Sequence, residues 1–162
     1  LSHFKIAIRR AVAEDGSAWL ALIDALAFYE KLQPPDADAR ERLIKDAFGS
    51  QPRFDVYLAE ISEKIVGYAI TLETYSSFLA LPTLFLEDIF VLSEHRKCGV
   101  GTELFKHCVQ EAYRRNCGRM EWMVLDWNQL ALDFYKRMGA GRLTEWVPYR
   151  MDRSSMKSLL LS

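Results

Sequence analysis

Arg96-Lys97-Cys98-Gly99-Val100-Gly101 joins a strand-like apolar run, residues 84–91, to a helix-like run that begins near Gly99. Glycines let main-chain N–H groups approach an anion, a helix N-terminus presents the positive end of its dipole, and Arg96 and Lys97 add charge. The stretch therefore reads as a pyrophosphate seat, although two glycines that merely cap and pack a helix start would look the same. Its spacing, R-x-x-G-x-G, differs from the dinucleotide pattern G-x-G-x-x-G, and the chain has no G-x-x-x-x-G-K-[ST] loop. Nicotinamide and nucleoside-triphosphate readings lose support accordingly.

Downstream of the loop, residues 99–116 read as a helix. Val100, Leu104, Cys108 and Ala112 repeat every four residues with Phe105 and Val109 alongside, so one face is expected to be buried. Residues 119–124 return as a strand beside 84–91. Such a strand–helix–strand unit is right-handed and binds ligands at the carboxyl ends of its strands, where the 96–101 loop falls.

Upstream, residues 4–10 read as a first strand. Asp15 is placed to cap a helix running to about Lys31, with Trp19, Leu22, Ile23 and Leu26 on one face, and Pro34-Pro35 break that helix. Residues 37–48 form a second helix ending at Gly49. Residues 55–61 and 65–75, rich in β-branched and aromatic side chains, pair as an antiparallel hairpin about Ser62-Glu63-Lys64, and a loop at 76–83 precedes the 84–91 strand. After the βαβ unit, residues 128–138 are a last well-marked helix stopped by Gly139 and Gly141. One or two strands are expected over 142–151, and 152–162 is a tail. The class is α/β, a mixed central sheet with flanking helices in one domain over 1–162, its core at about 4–151.

Composition narrows the function. With 21 Lys+Arg against 22 Asp+Glu the formal net charge is −1, which gives no general field to recruit nucleic acid or an anionic membrane. Cys98, Cys108 and Cys117 make neither a C-x-x-C pair nor an even disulfide set, and no zinc ligand set accompanies them. The first residues lack a signal-peptide core and no apolar run approaches transmembrane length, so a cytoplasmic, unanchored protein is expected.

A second segment, running from Val124-Leu125-Asp126-Trp127-Asn128 through Phe134-Tyr135-Lys136-Arg137-Met138-Gly139-Ala140, carries N-x-x-A-x-x-F-Y-x-x-x-G-A. Together with R-x-x-G-x-G it resembles the GNAT acetyltransferase family, in particular its spermidine/spermine N-acetyltransferase-like branch of diamine and thialysine acetyltransferases. Phe85-Leu86-Glu87-Asp88-Ile89-Phe90-Val91 and an early Tyr29-Glu30 pair strengthen the likeness, which spans Ile6 to about Met151. The resemblance implies the GNAT fold with acetyl-CoA as co-substrate and a small primary amine as acceptor, in a homodimer. Lys97 stands where many relatives have a third glycine.

Acetyl transfer from a thioester to an amine needs a held donor, a neutral amine, a polarised carbonyl and a proton for the leaving thiolate. The resemblance implies that the donor is held by backbone at Lys97, Cys98, Gly99, Val100, Gly101 and Thr102, with Arg96 nearby. Ile89, Phe90 and Val91 would run along the pantetheine arm, and Asn128 and Ala131 complete the cofactor side. Val91 N–H is the candidate to polarise the carbonyl. Tyr135 matches the family's general acid, and Glu87 its base. Tyr29 and Glu30 match the amine-binding pair, and Trp122 offers a π surface. Asp88 reads as a structural partner as readily as a substrate contact, and strand alternation would send it to the face opposite Glu87. No residue is placed as an acyl-accepting nucleophile, so direct attack is expected. The rival readings are a protein or peptide amine acetyltransferase and a non-catalytic coenzyme A-binding regulatory module.

Overall fold

A computed structural model describes residues 5–161; Phe4, where the first strand was expected to begin, lies outside the described residues. The chain falls into two compact units that meet in sequence at Met123 and Val124. The first unit holds β1 (Ile6–Arg10), α1 (Gly16–Glu30), α2 (Ala37–Phe48), β2 (Asp55–Ile61), β3 (Lys64–Ser76), β4 (Leu81–Val91), α3 (Val100–Arg114) and β5 (Arg119–Glu121). Its five strands lie in sequence order in one sheet, antiparallel from β1 to β4 and parallel between β4 and β5. The mixed sheet and the βαβ unit are as the sequence predicts.

Local chemistry sets the helix ends. Asp15 occupies the N-cap position of α1, but its carboxylate accepts from the Val12 N–H (2.8 Å) and from Arg9 (2.7 and 2.8 Å) instead of capping the helix. This corrects the sequence expectation: a nearby guanidinium and a tight preceding turn claim the acid. At the other end Lys31 takes φ 58°, the Leu32 N–H reaches Ala27 O (2.9 Å) and the Lys31 N–H reaches Phe28 O (3.2 Å). That paired closure ends α1 before Pro34 and fixes Tyr29 and Glu30 in its last turn. In α2 Asp36 does cap, accepting from the Ala39 N–H at 2.8 Å.

Trp19 and Leu22 of α1 pack with Ala47 of α2 against Val56, Leu58, Tyr68, Ile70 and Phe90 on one sheet face. On the other face α3 buries Val100, Leu104, Phe105, Cys108 and Ala112, whereas Val109, expected beside them, is 44% exposed. The buried stripe on α3 is thus narrower than the apolar pattern suggests. Arg115, following α3, anchors it to the sheet through Asp55 (2.6 Å) and the Tyr57 hydroxyl (3.0 Å).

Both hairpins are tighter than expected. Residues 62 and 63 alone turn β2 into β3, with φ of 49° at Ser62 and 65° at Glu63, as a two-residue turn of the primed type needs. The 76–83 loop shrinks to residues 77–80, because Ser76 pairs with Leu81 and Tyr75 with Pro82. β5 ends at Glu121, short of the expected Val124, because its ladder with β4 stops at the Phe85–Glu121 pair.

The second unit contains α4 (Gln129–Arg137) and α5 (Arg153–Leu160). The expected strands over residues 142–151 do not form: the segment has no ladder partner among the described residues, and Pro148 lacks a donor for one. The tail instead becomes α5, capped by Asp152, whose carboxylate accepts from the Ser155 N–H at 2.8 Å.

Candidate active site

The register of β4 on β3 is interrupted. Ile70 lies opposite Asp88 but Thr71 lies opposite Leu86, so Glu87 has no partner and forms a β-bulge. Side-chain alternation therefore changes parity here, a correction to the simple two-face expectation. Leu86 shares a face with Thr71, while Asp88 joins Ile70, Tyr68 and Phe90 on the face packed by α1 and α2. Glu87 itself is exposed.

The turn in direction gathers carboxylates. The Tyr68 hydroxyl donates to Asp88 Oδ2 at 3.1 Å. Burial pushes the Asp88 carboxyl up to about 6, and the Glu87 and Glu30 charges add to it against the opposing Tyr68 hydrogen bond. Burial first, then Asp88, Glu30 and Glu87, holds the Tyr68 phenol well above its usual range. Glu30 is itself raised by burial. Glu30 and Glu87, distant in sequence, thus both act electrostatically on the hydrogen-bonded Asp88–Tyr68 pair. Tyr68 escaped the sequence reading because it sits in an ordinary apolar β3 run; only the cross-strand register places it beside Asp88.

Beyond the bulge, one edge of β4 has no strand partner among the described residues. The Leu92 N–H bonds to Val66 O at 2.9 Å, so alternation turns the Val91 and Ile89 N–H groups away from β3 toward the side where β5 has already ended. An extended amide chain such as pantetheine fits such an edge by strand-like hydrogen bonding. Val91 O on the same edge accepts from Arg96 Nε at 2.9 Å. The Arg96 guanidinium lies 4.7 Å from the Tyr29 ring centroid and 5.5 Å from that of Phe90.

The loop that follows turns through Lys97 (φ 62°) and Gly99 (φ 95°), and Gly99 caps α3 with no side-chain acceptor. The first helical bond found there is from the Glu103 N–H to Gly99 O, 3.0 Å. The N–H groups of Val100, Gly101 and Thr102 precede it at the positive helix end, an arrangement that fits a pyrophosphate. Cys98 is exposed, its thiol donating to His95 O at 2.7 Å. Trp122, half-buried just past β5, meets Phe105 edge-to-face at 5.4 Å.

In the second unit Asn128 Oδ1 accepts from the Ala131 N–H at 3.2 Å, capping α4. Asn128, Ala131 and Tyr135 recur at the spacing of one helix face. Tyr135 stacks edge-to-face on Phe134 at 5.4 Å, and its carbonyl accepts from the Ala140 N–H at 3.0 Å as Gly139, φ 85°, closes the helix.

The acetyltransferase (GNAT) family model matches residues 19–140. Thialysine N-epsilon-acetyltransferase of Bos taurus is 34% identical over 165 aligned residues, covering 95% of this chain and 96% of the relative. L-ornithine N5-acetyltransferase of Arabidopsis thaliana is 34% identical over 95 residues, 59% of this chain and 42% of its own. An integron cassette protein from the mobile metagenome of V. cholerae superposes with a TM-score of 0.80 at 23% identity, over 97% of this chain and 98% of that one. The chain belongs to the GNAT acetyltransferase family. It is an N-acetyltransferase with acetyl-CoA as its co-substrate.

Proposed function

We propose that the acceptor is a small primary amine that carries further charge: a diamine, a polyamine or a lysine-like amino acid. The carrying observation is the convergence of Glu30, Glu87 and Asp88 at the β4 bulge, next to the open strand edge. The Glu30 and Glu87 charges both add to the proton affinity of Asp88, and acidic groups placed this way favour a cationic chain as their counter-charge. The Bos taurus and Arabidopsis thaliana relatives, by name, acetylate thialysine and ornithine, two amines of this kind.

Bound acetyl-CoA supplies a thioester as acetyl donor. In this reading the N–H groups of Val100, Gly101 and Thr102, with Lys97 and Cys98 in the loop, hold its phosphates, and backbone at Ile89, Phe90 and Val91, with Asn128 and Ala131, lines the rest. Val91 N–H polarises the carbonyl. Glu87, open to water at the bulge, takes the proton of the acceptor ammonium; Tyr29 and Glu30 orient the amine, Trp122 walls its path, and the Tyr135 hydroxyl protonates the departing sulfur. One GNAT domain made of both units is supported by a family match that runs across their boundary. The family likeness supports a homodimer in this reading, and cytoplasmic residence suits three free cysteines. A net charge of −1 argues against a nucleic-acid partner. No helix among the described residues is long and apolar enough to cross a membrane.

The test is an acetylation panel of thialysine, ornithine, spermidine and a lysine-ended peptide, run alongside Tyr135→Phe. Higher kcat/KM for the free amines is expected, with kcat lowered roughly 10²-fold by the substitution. Activity confined to the peptide would install the protein-acetylating alternative, and parent-like turnover of Tyr135→Phe would return that ring to packing.

A further inference from the structure

Arg96 opens the glycine loop in sequence, yet its guanidinium ties together two other parts of the first unit. Nε donates to Val91 O (2.9 Å), while the planar head lies over Tyr29 (4.7 Å) and close to Phe90 (5.5 Å). Tyr29 belongs to the last turn of α1, Phe90 and Val91 to the end of β4. A guanidinium can donate in its plane and stack through its faces at once; an ammonium has no such plane. Arg96 therefore bridges the helix end that carries Tyr29 and Glu30 to the strand end that carries the Val91 N–H.

We propose that Arg96 is a positioning residue that locks Tyr29 to the end of β4, setting the acceptor's distance from the acyl group without itself being the main phosphate ligand. This rests on reading Tyr29 as an acceptor-side residue. The closure at Lys31 fixes the backbone of the last turn of α1, and the guanidinium over the Tyr29 ring adds a contact from the end of β4 to a ring that also packs against the core. The loop N–H groups and Lys97 remain for the phosphates.

Arg96→Lys keeps the positive charge beside the loop and loses both the flat stack and the Nε–H. It is expected to raise KM for thialysine about tenfold, the size of a strong cation–π contact. KM for acetyl-CoA is expected to stay within about twofold, because the charge seen by the phosphates is kept. The reverse split, acetyl-CoA affected and thialysine spared, would make Arg96 a phosphate ligand and overturn the proposal. A melting-temperature cycle of Arg96→Lys, Tyr29→Leu and their double variant, run without substrates, reads the contact alone. Coupled shifts are expected, with Tyr29→Phe behaving as the parent because its ring remains; additive shifts overturn the clamp. Coupled melting with an unchanged thialysine KM would keep the contact but remove Tyr29 from the acceptor side, and the positioning role with it. If Arg96→Lys proves too unstable to assay, Arg96→Gln takes its place with the same thialysine expectation.

Discussion

Asp88 is ionised with difficulty because the face it shares with Tyr68 and Phe90 is largely closed to water and two further carboxylates stand near it. Its folded-state value of about 6 exceeds the ordinary 3.8, so between those pH values the folded chain keeps a proton that the unfolded chain has released. Folding therefore weakens as pH climbs through that window, and the full cost is present above about 6. A shift of this size corresponds to roughly 3 kcal/mol, discounted to about 1–2 kcal/mol because the side chain retains some solvent access. Asp88→Asn keeps an acceptor for the Tyr68 hydroxyl and removes the charge. Thermal melting is expected to show the variant more stable than the parent at pH 7.5, with the difference vanishing near pH 4. A gain that persists unchanged at the acid end would mean that packing, not ionisation, sets the effect.

At the scale of elements, what periodicity and punctuation encode was legible, and what depends on pairing was not. Residues 37–48 could be bounded because Asp36 caps and Gly49 closes, and both signals are local. The βαβ unit was legible because Leu104, Cys108 and Ala112 keep helical spacing between two apolar runs. The bulge was hidden. Glu87 and Asp88 mark an oddity in an apolar strand, but only the strand across from them reveals that Glu87 is the extra residue and Asp88 the one turned toward Tyr68. Residues 122–124 and 142–151 have strand-like composition, yet composition cannot supply a ladder partner. The candidate site divides the same way: the glycine loop and the α4 motif are contiguous in sequence, whereas the contact of Arg96 with Tyr29 joins positions 67 residues apart (96 − 29).

For the molecule as a whole, a ligand that binds only the folded chain must stabilise it, so the loop can be tested without turnover. At a concentration of acetyl-CoA 100 times its Kd, folding gains about 2.7 kcal/mol. For a chain of this size that corresponds to a rise in Tm of roughly 5–11 °C. Gly101 lies in the first turn of α3, between Val100 and Thr102, where the proposed pyrophosphate seat needs a close main-chain approach. Gly101→Val adds a branched side chain at that approach. Its unliganded Tm is expected to stay within a few degrees of the parent, since valine is no poorer a helix former than glycine. The acetyl-CoA-induced rise is expected to be largely lost, and calorimetry should give a matching loss of affinity. A full ligand-induced shift in Gly101→Val would move the pyrophosphate away from this helix start; a collapsed unliganded Tm would make Gly101 a packing residue of α3 first.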